Sequence, residues 1–185
     1  IKLGYWRNAA KLSKLTNFAV LKGDNSNIRI EANLLLDEEK AETKLEYGIF
    51  GNGWIKIRFS FAPRSVLPNM PRFGLQASIP GEYSDIVYLG KGPHENYIDR
   101  RTGADIGLYR SKVKEFGEPY VYPQENANRT DVRWMAFLNE ENEGLVITGD
   151  QLLSMSAWPN SQEDIEKARH TNELPEDQNN TINID

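Results

Sequence analysis

The sequence predicts an all-β protein made of antiparallel strands. Apolar residues recur at every second position through most of the chain, which is the signature of strands with one buried and one solvated face. The patterned segments are separated by short turns rich in Asn, Asp and Gly, with no alternation of strands and helices of the kind that builds a parallel sheet. The clearest case is residues 54–61: Ile55, Ile57, Phe59 and Phe61 share one face, and Lys56, Arg58 and Ser60 the other. Ile28, Ile30, Ala32, Leu34 and Leu36 repeat the pattern, as do Phe73, Leu75, Ala77 and Ile79, and then Val132, Trp134, Ala136 and Leu138. Shorter apolar runs at 18–21, 45–50, 86–89, 145–148 and 152–158 read as further strands. Gly51-Asn52-Gly53 suits a tight hairpin, because Gly and Asn tolerate positive φ; residues 23–27 and 139–144 are polar turns of the same sort.

One short helix is predicted near 161–170. Ser161 is an N-cap, Asp164 closes a capping box, Ile165 and Ala168 form a small apolar stripe, and Pro159 and Pro175 bound the segment. Residues 172–181 read as an exposed loop. No repeat or linker divides the chain, so one domain is expected over 1–185. The abrupt opening on Ile1 and the strand-like run that stops at Asp185 read as a piece of something longer, incomplete at both ends.

Composition narrows the function. The 185 residues carry 22 Lys+Arg against 27 Asp+Glu, a net charge of −5. That balance argues against gripping nucleic acid or an anionic membrane, both of which need a basic patch. Cysteine is absent and histidine occurs twice, so neither a thiolate site nor a histidine-rich metal centre is expected. No apolar run approaches membrane-spanning length, and a soluble protein of the cytoplasm or periplasm is expected.

Chemistry is sought in the stretch from 90 to 130, where periodicity fades and Gly, Pro, Asn and charged residues gather. Residues 90–100, Gly-Lys-Gly-Pro-His-Glu-Asn-Tyr-Ile-Asp-Arg, place Glu95 and Asp99 in an aromatic-rich loop. Two facing carboxylates are what glycoside hydrolysis needs. The plainer reading is that Glu95, Asp99, Arg100 and Arg101 form ion pairs that pin the loop, with Asn96 and Tyr97 beside them, and it is the favoured one because structural ion pairs outnumber catalytic dyads. The second cluster, 118–131, brings Gln124, Glu125, Asn126, Asn128 and Arg129 together behind two prolines. Such a set either binds sugar hydroxyls or shapes the loop, and the residues alone favour neither. Glu125 facing Glu95 is the one pairing worth testing for catalysis. Among the tryptophans, Trp54 and Trp134 are expected in the core and Trp158 at an exposed corner.

Four runs taken together carry a family resemblance: Met70-Pro71-Arg72-Phe73-Gly74; Leu89 to Arg100; Pro119-Tyr120-Val121-Tyr122-Pro123-Gln124-Glu125-Asn126; and Arg129-Thr130-Asp131-Val132-Arg133-Trp134. In this order and spacing the chain resembles the C-terminal, small-chain-like region (domain 5) of glycoside hydrolase family 2 β-galactosidases. The resemblance implies an antiparallel β-supersandwich of the galactose-mutarotase type. It implies retaining hydrolysis of terminal β-D-galactosyl residues by the parent enzyme, with both catalytic glutamates in a separate TIM barrel, so that no catalytic residue is assigned here and the isolated piece is expected to be inactive. It further implies a mobile loop near the galactose site, which maps onto Tyr122, Pro123, Gln124, Glu125, Asn126, Asn128 and Arg129, while Glu95, Asn96, Tyr97, Asp99 and Arg100 form a structural loop. Partners implied are the TIM barrel and other domains of the parent, a β-galactoside and further copies in a homo-oligomer. Magnesium and sodium are implied for the parent, none for this piece, although Glu125 among its amides is an oxygen-rich candidate for a hard cation. The family's Pro-x-Asp-Asn-Asp opening and its C-terminal Ser-Trp pair are missing. The rival readings are a free carbohydrate-binding module, a mutarotase-like enzyme and a purely structural assembly domain.

Overall fold

The computed structural model describes residues 6–23, 26–36, 40–175 and 178–185. Among the described residues the fold is all-β and antiparallel, with ten strands in two open sheets. The chain divides into two compact units, Ile1–Phe73 and Gly74–Asp185.

The first unit is a four-stranded meander: β1 (Lys14–Lys22), β2 (Asn27–Leu36), β3 (Ala41–Phe50) and β4 (Ile55–Pro63), in that spatial order. Its register puts Phe18, Ala32, Leu45 and Phe59 in one cross-strand row, and Val20, Ile30, Tyr47 and Ile57 in the next. The opposite face is charged, with Arg29 bonded to Glu46 at 2.7 Å and to Glu31 at 2.8 Å, and Lys44 at 3.3 Å from both carboxylates. The alternation read from 28–36 and 54–61 gathers the apolar side chains on one face as expected, but that face is not buried throughout: Ile28, Ile55 and Ile57 are exposed. The 51–53 turn closes as predicted: Phe50 donates its N–H to the Trp54 carbonyl, and Gly53 takes φ +89°, which a side chain would resist. Part of the polar turn at 23–27, residues 24 and 25, lies outside the described residues. Trp54 is not in the core: it stands at the hairpin exit, 63% exposed.

The second unit holds a six-stranded sheet of order β5, β10, β9, β8, β6, β7, from β5 (Leu75–Pro80), β6 (Asp85–Gly92), β7 (Asp105–Lys112), β8 (Arg129–Leu138), β9 (Gly144–Trp158) and β10 (Asn179–Ile184). Its core gathers Ile86, Tyr88, Val113, Phe116, Met135, Phe137, Met155 and Ile182, all at most 1% exposed. A single helical turn, α1 (Val113–Phe116), drops Val113 and Phe116 into that core. The predicted helix is present as α2 (Gln162–Lys167): the Ser161 hydroxyl accepts from the Asp164 N–H at 3.1 Å and donates to its carboxylate, and Ile165 is buried.

Several expectations are corrected here. The runs at 145–148 and 152–158 are one long strand, β9. Residues 179–181 are not loop: they begin β10, paired on both sides by β5 and β9, with Asn180 and Thr181 buried. In β8 the alternation through Val132, Trp134, Ala136 and Leu138 does not hold: Val132, Met135, Ala136 and Phe137 are buried, and Trp134 and Leu138 are half-buried. The register with β9 shifts between Arg129 and Val132, where the extra residue is in β8, and between Val132 and Trp134, where the extra residues are in β9. Trp158 is 3% exposed, its indole N–H donating to the Asn126 carbonyl at 3.0 Å.

Candidate functional site

The two segments singled out in the sequence, 90–100 and 118–131, lie side by side in the second unit. They are joined by a network centred on Asn96, Glu95 and Arg129.

Asn96 is a fully used amide. Its Nδ2 donates to the Lys91 and His94 carbonyls at 3.1 and 3.0 Å, and its Oδ1 accepts from the Thr130 N–H at 3.0 Å and the Thr130 hydroxyl at 2.6 Å. Its backbone is matched as well: the Asn96 N–H donates to the Asn128 carbonyl at 2.8 Å, and the Asn128 side chain donates to the Asn96 carbonyl at 2.8 Å. A peptide that turns after the cis Gly92-Pro93 bond would otherwise leave these groups without partners in a buried place.

Glu95 has a 3% exposed side chain. Oε1 accepts from Arg100 at 2.6 Å and from the Tyr120 hydroxyl at 2.6 Å, and Oε2 accepts from the Ala127 N–H at 3.0 Å. Arg100 also lies over the Tyr97 ring, 4.8 Å from its centroid. Burial pushes the Glu95 carboxyl up, but the bonds from Tyr120, Arg100 and Ala127 outweigh it and hold the group below its ordinary value of 4.5. A depressed folded pKa contributes stability above the unfolded value, and that contribution is lost as pH falls through the folded value. Wild type should therefore lose urea resistance on acidification below about pH 5, and Glu95→Gln, already weaker at pH 7, should show a flatter profile. Equal slopes for the two proteins would contradict this placement.

Arg129 is buried among neutral acceptors. Nε donates to the Pro93 carbonyl at 3.0 Å and the Tyr88 hydroxyl at 3.3 Å, the terminal nitrogens to the carbonyls of Ala127 and Phe116 at 3.1 Å, and the guanidinium stacks 4.1 Å from the Phe116 ring centroid. Burial pushes its pKa down. Two backbone features aim it inward: Ala127 has φ +68° and Asp131 φ +53°, in the left-handed region that L-residues adopt at a cost. Their neighbours hold them there, the Ala127 N–H on Glu95 and Asp131 in an ion pair with Arg101 at 3.0 Å.

The residues mapped onto one loop thus fall into two groups. Ala127, Asn128, Arg129 and Thr130 are buried and bonded, and Asn126 is half-buried, its amide donating to the Gln124 carbonyl at 3.1 Å. Tyr122, Gln124 and Glu125 are exposed, with Pro123 turned inward. Within the 93–101 loop, Glu95 pairs with Arg100, while Arg101 reaches Asp131 and Asp99 stands at the surface. The sequence reading missed Tyr120 as a partner of Glu95. The only available signal was its position between Pro119 and Pro123. Behind 117–126 runs a cleft of about 180 Å³, with Pro119, Tyr120 and Gln124 on one side and Trp158, Asn160 and Leu174 on the other. Among the described residues no three His, Cys, Asp or Glu side chains gather as metal ligands, and no helix is long and apolar enough to cross a membrane.

Each unit is built on an antiparallel sheet, and in the second a long loop region is held by a buried Glu, Asn and Arg, with the conspicuous carboxylate engaged internally. Comparison with known proteins identifies the family: residues 2–185 match the one described as "Beta galactosidase small chain", and the chain belongs to it. It is 32% identical over 179 residues to a Priestia megaterium protein named "Beta-galactosidase", covering 97% of this chain and 17% of that protein. Proteins of the same name from Streptococcus thermophilus, 32% identical over 92% of this chain, and Lactobacillus delbrueckii subsp. bulgaricus, 35% identical over 93%, are likewise matched over only 17% of their length. The chain spans about a sixth of the curated relatives it matches.

Proposed function

We propose that this chain is a C-terminal domain of a retaining β-galactosidase, and that it shapes the galactoside site without supplying its catalytic carboxylates. The observation that carries the second half is Glu95. A glycosidase acid needs a raised pKa and access to the glycosidic oxygen, and a nucleophile needs a free carboxylate oxygen. Glu95 has a lowered pKa, a buried side chain and donors on both oxygens. The acid/base and the nucleophile then belong to a TIM-barrel domain of the parent. Tyr122, Gln124 and Glu125, exposed on 118–125, are the side chains available to face that barrel and its substrate. Closure of such a segment would exclude water and complete the pocket. Magnesium and sodium would be held by the parent's other domains, and further copies would complete its oligomer.

The test is hydrolysis of a chromogenic β-galactoside by the full-length protein. Wild type should turn over, and Glu95→Gln and Glu125→Gln should each keep kcat within about tenfold per folded molecule. A loss of roughly a thousandfold or more, the scale of a removed acid/base group, would return catalysis to this domain.

A further inference from the structure

The hairpin between β3 and β4 carries the chain's single Asn-Gly step, Asn52-Gly53. Phe50 donates its N–H to the Trp54 carbonyl at 2.9 Å, and Gly53 donates to the Phe50 carbonyl at 3.0 Å with its φ at +89°. The loop is thus three residues long and ends on a left-handed glycine. On one side it is anchored, because the Gly51 N–H donates to the Ser26 carbonyl at 2.9 Å. Residues 51–54 are all exposed, so water reaches the tip freely.

Asn52 is set up for attack by its own backbone. Its Oδ1 accepts the Trp54 N–H at 3.2 Å, closing a ring that runs through Cγ and the Gly53 nitrogen. That donor sits on the oxygen where negative charge develops when Cγ is attacked, and stabilising such an oxygen lowers the barrier. Nδ2, the group that has to leave, has no hydrogen-bond partner among the described residues. Gly53 offers no side chain to shield its nitrogen, and a Cβ built there would meet nothing within 4 Å. One contact opposes attack, the Gly53 N–H bond to Phe50, and it breaks in a local opening at an exposed tip rather than in global unfolding.

We propose that Asn52 is a spontaneous modification site, converted to isoaspartate and aspartate through a cyclic imide with Gly53. Hydroxide takes the Gly53 amide proton, the nitrogen bonds to Cγ of Asn52, and the bond from Cγ to Nδ2 breaks, releasing ammonia. Water then opens the ring. Attack at Cγ restores the main chain and leaves aspartate. Attack at the Asn52 carbonyl carbon breaks its bond to the Gly53 nitrogen and leaves isoaspartate, with the main chain rerouted through Cβ and Cγ. Nothing is oxidised or reduced: asparagine and water give the acid and ammonia. The isoaspartate form has one more main-chain carbon in a three-residue loop whose length sets the strand register. β4 is an edge strand held only by β3, so Ile55 and Lys56 lose their pairing with Ile49 and Gly48 first.

Ageing the full-length protein at mildly alkaline pH, then digesting it with trypsin at mildly acidic pH, tests this. Cleavage after Lys44 and Lys56 isolates residues 45–56, in which Asn52 is the single asparagine. That peptide should gain the mass of an NH2-to-OH exchange roughly tenfold faster than any other Asn peptide of 1–185, and should split into two chromatographic forms. Asn52→Gln should abolish the gain, since its carboxamide carbon is one bond too far for the five-membered ring. In the isoaspartate fraction, hydrogen exchange over 54–57 should quicken by roughly tenfold, the loss of one hydrogen bond, while β1 and β2 stay unchanged. Freshly purified Asn52→Asp carries the charge without the extra carbon and should exchange like wild type. A mass gain no faster at 45–56 than elsewhere would overturn the site. Equal quickening in fresh Asn52→Asp would overturn the rerouted main chain as its cause.

Discussion

Asn96→Ala should cost about 3–4 kcal/mol of stability, more than any surface change and among the largest single losses available in this domain. The side chain makes four hydrogen bonds, and truncation leaves the Lys91 and His94 carbonyls and the Thr130 N–H and hydroxyl without their partner in a buried place. Net bonds in folding are worth little individually, but abandoned buried donors and acceptors carry their full desolvation cost. Asn96→Asp is the sharper variant. It keeps the oxygen that Thr130 uses but turns an acceptor toward two carbonyls, so it should lose about as much as alanine although it is nearly isosteric. The urea midpoints of the two variants check this. An Asn96→Asp protein within about 1 kcal/mol of wild type would mean that the amide's orientation here is wrong.

Arg129 gives the second large effect, and its order is informative. Arg129→Met removes the donors to the carbonyls of Pro93, Ala127 and Phe116, but it also removes a buried charge whose hydrogen-bond acceptors are all neutral. Arg129→Lys keeps the charge and its desolvation cost while an ammonium cannot reproduce the planar fork or the stacking on Phe116. The lysine variant should therefore be the worse of the two, about 4 kcal/mol against about 3. Chemical denaturation of both proteins checks the order. A lysine variant more stable than the methionine one would show that charge, rather than the geometry of the fork, is what this position needs.

What the sequence makes legible is set by how local the cause is. The two-faced strands β2 and β4, the 51–53 hairpin and the Ser161 and Asp164 capping box follow from side-chain period, positive φ and hydrogen-bond reach over a few residues. β7 was invisible because Asp105-Ile106-Gly107-Leu108-Tyr109-Arg110 is a short edge strand carrying glycine and charge, for which pairing with β6 supplies the order. The burial of Trp134 was misread for a related reason: β8 is an inner strand paired by β6 and β9, and what packs on each of its faces is not written within 129–138. Trp158 was placed outside because a Trp-Pro corner resembles a surface feature, yet its indole finds a carbonyl 32 residues earlier.

The site divides along the same line. That Glu95 and Arg100 would pair was readable, since they are five residues apart. That Tyr120 and the Ala127 N–H would take the rest of the carboxylate was not, because those contacts span 25 and 32 residues and depend on Ala127 adopting φ +68°. Burial changes along the mapped loop: Tyr122, Gln124 and Glu125 are exposed, whereas the left-handed Ala127 opens the buried run to Thr130, a difference that only long-range contacts set.

The central claim is that this domain walls a galactoside site while its own buried carboxylate is structural. The most direct measurement is kcat of full-length Glu95→Gln on a chromogenic β-galactoside, normalised to the folded fraction. Turnover within about tenfold of wild type, in a protein with reduced urea resistance, is the predicted result. A folded Glu95→Gln protein with full stability and kcat down by about a thousandfold or more would contradict it.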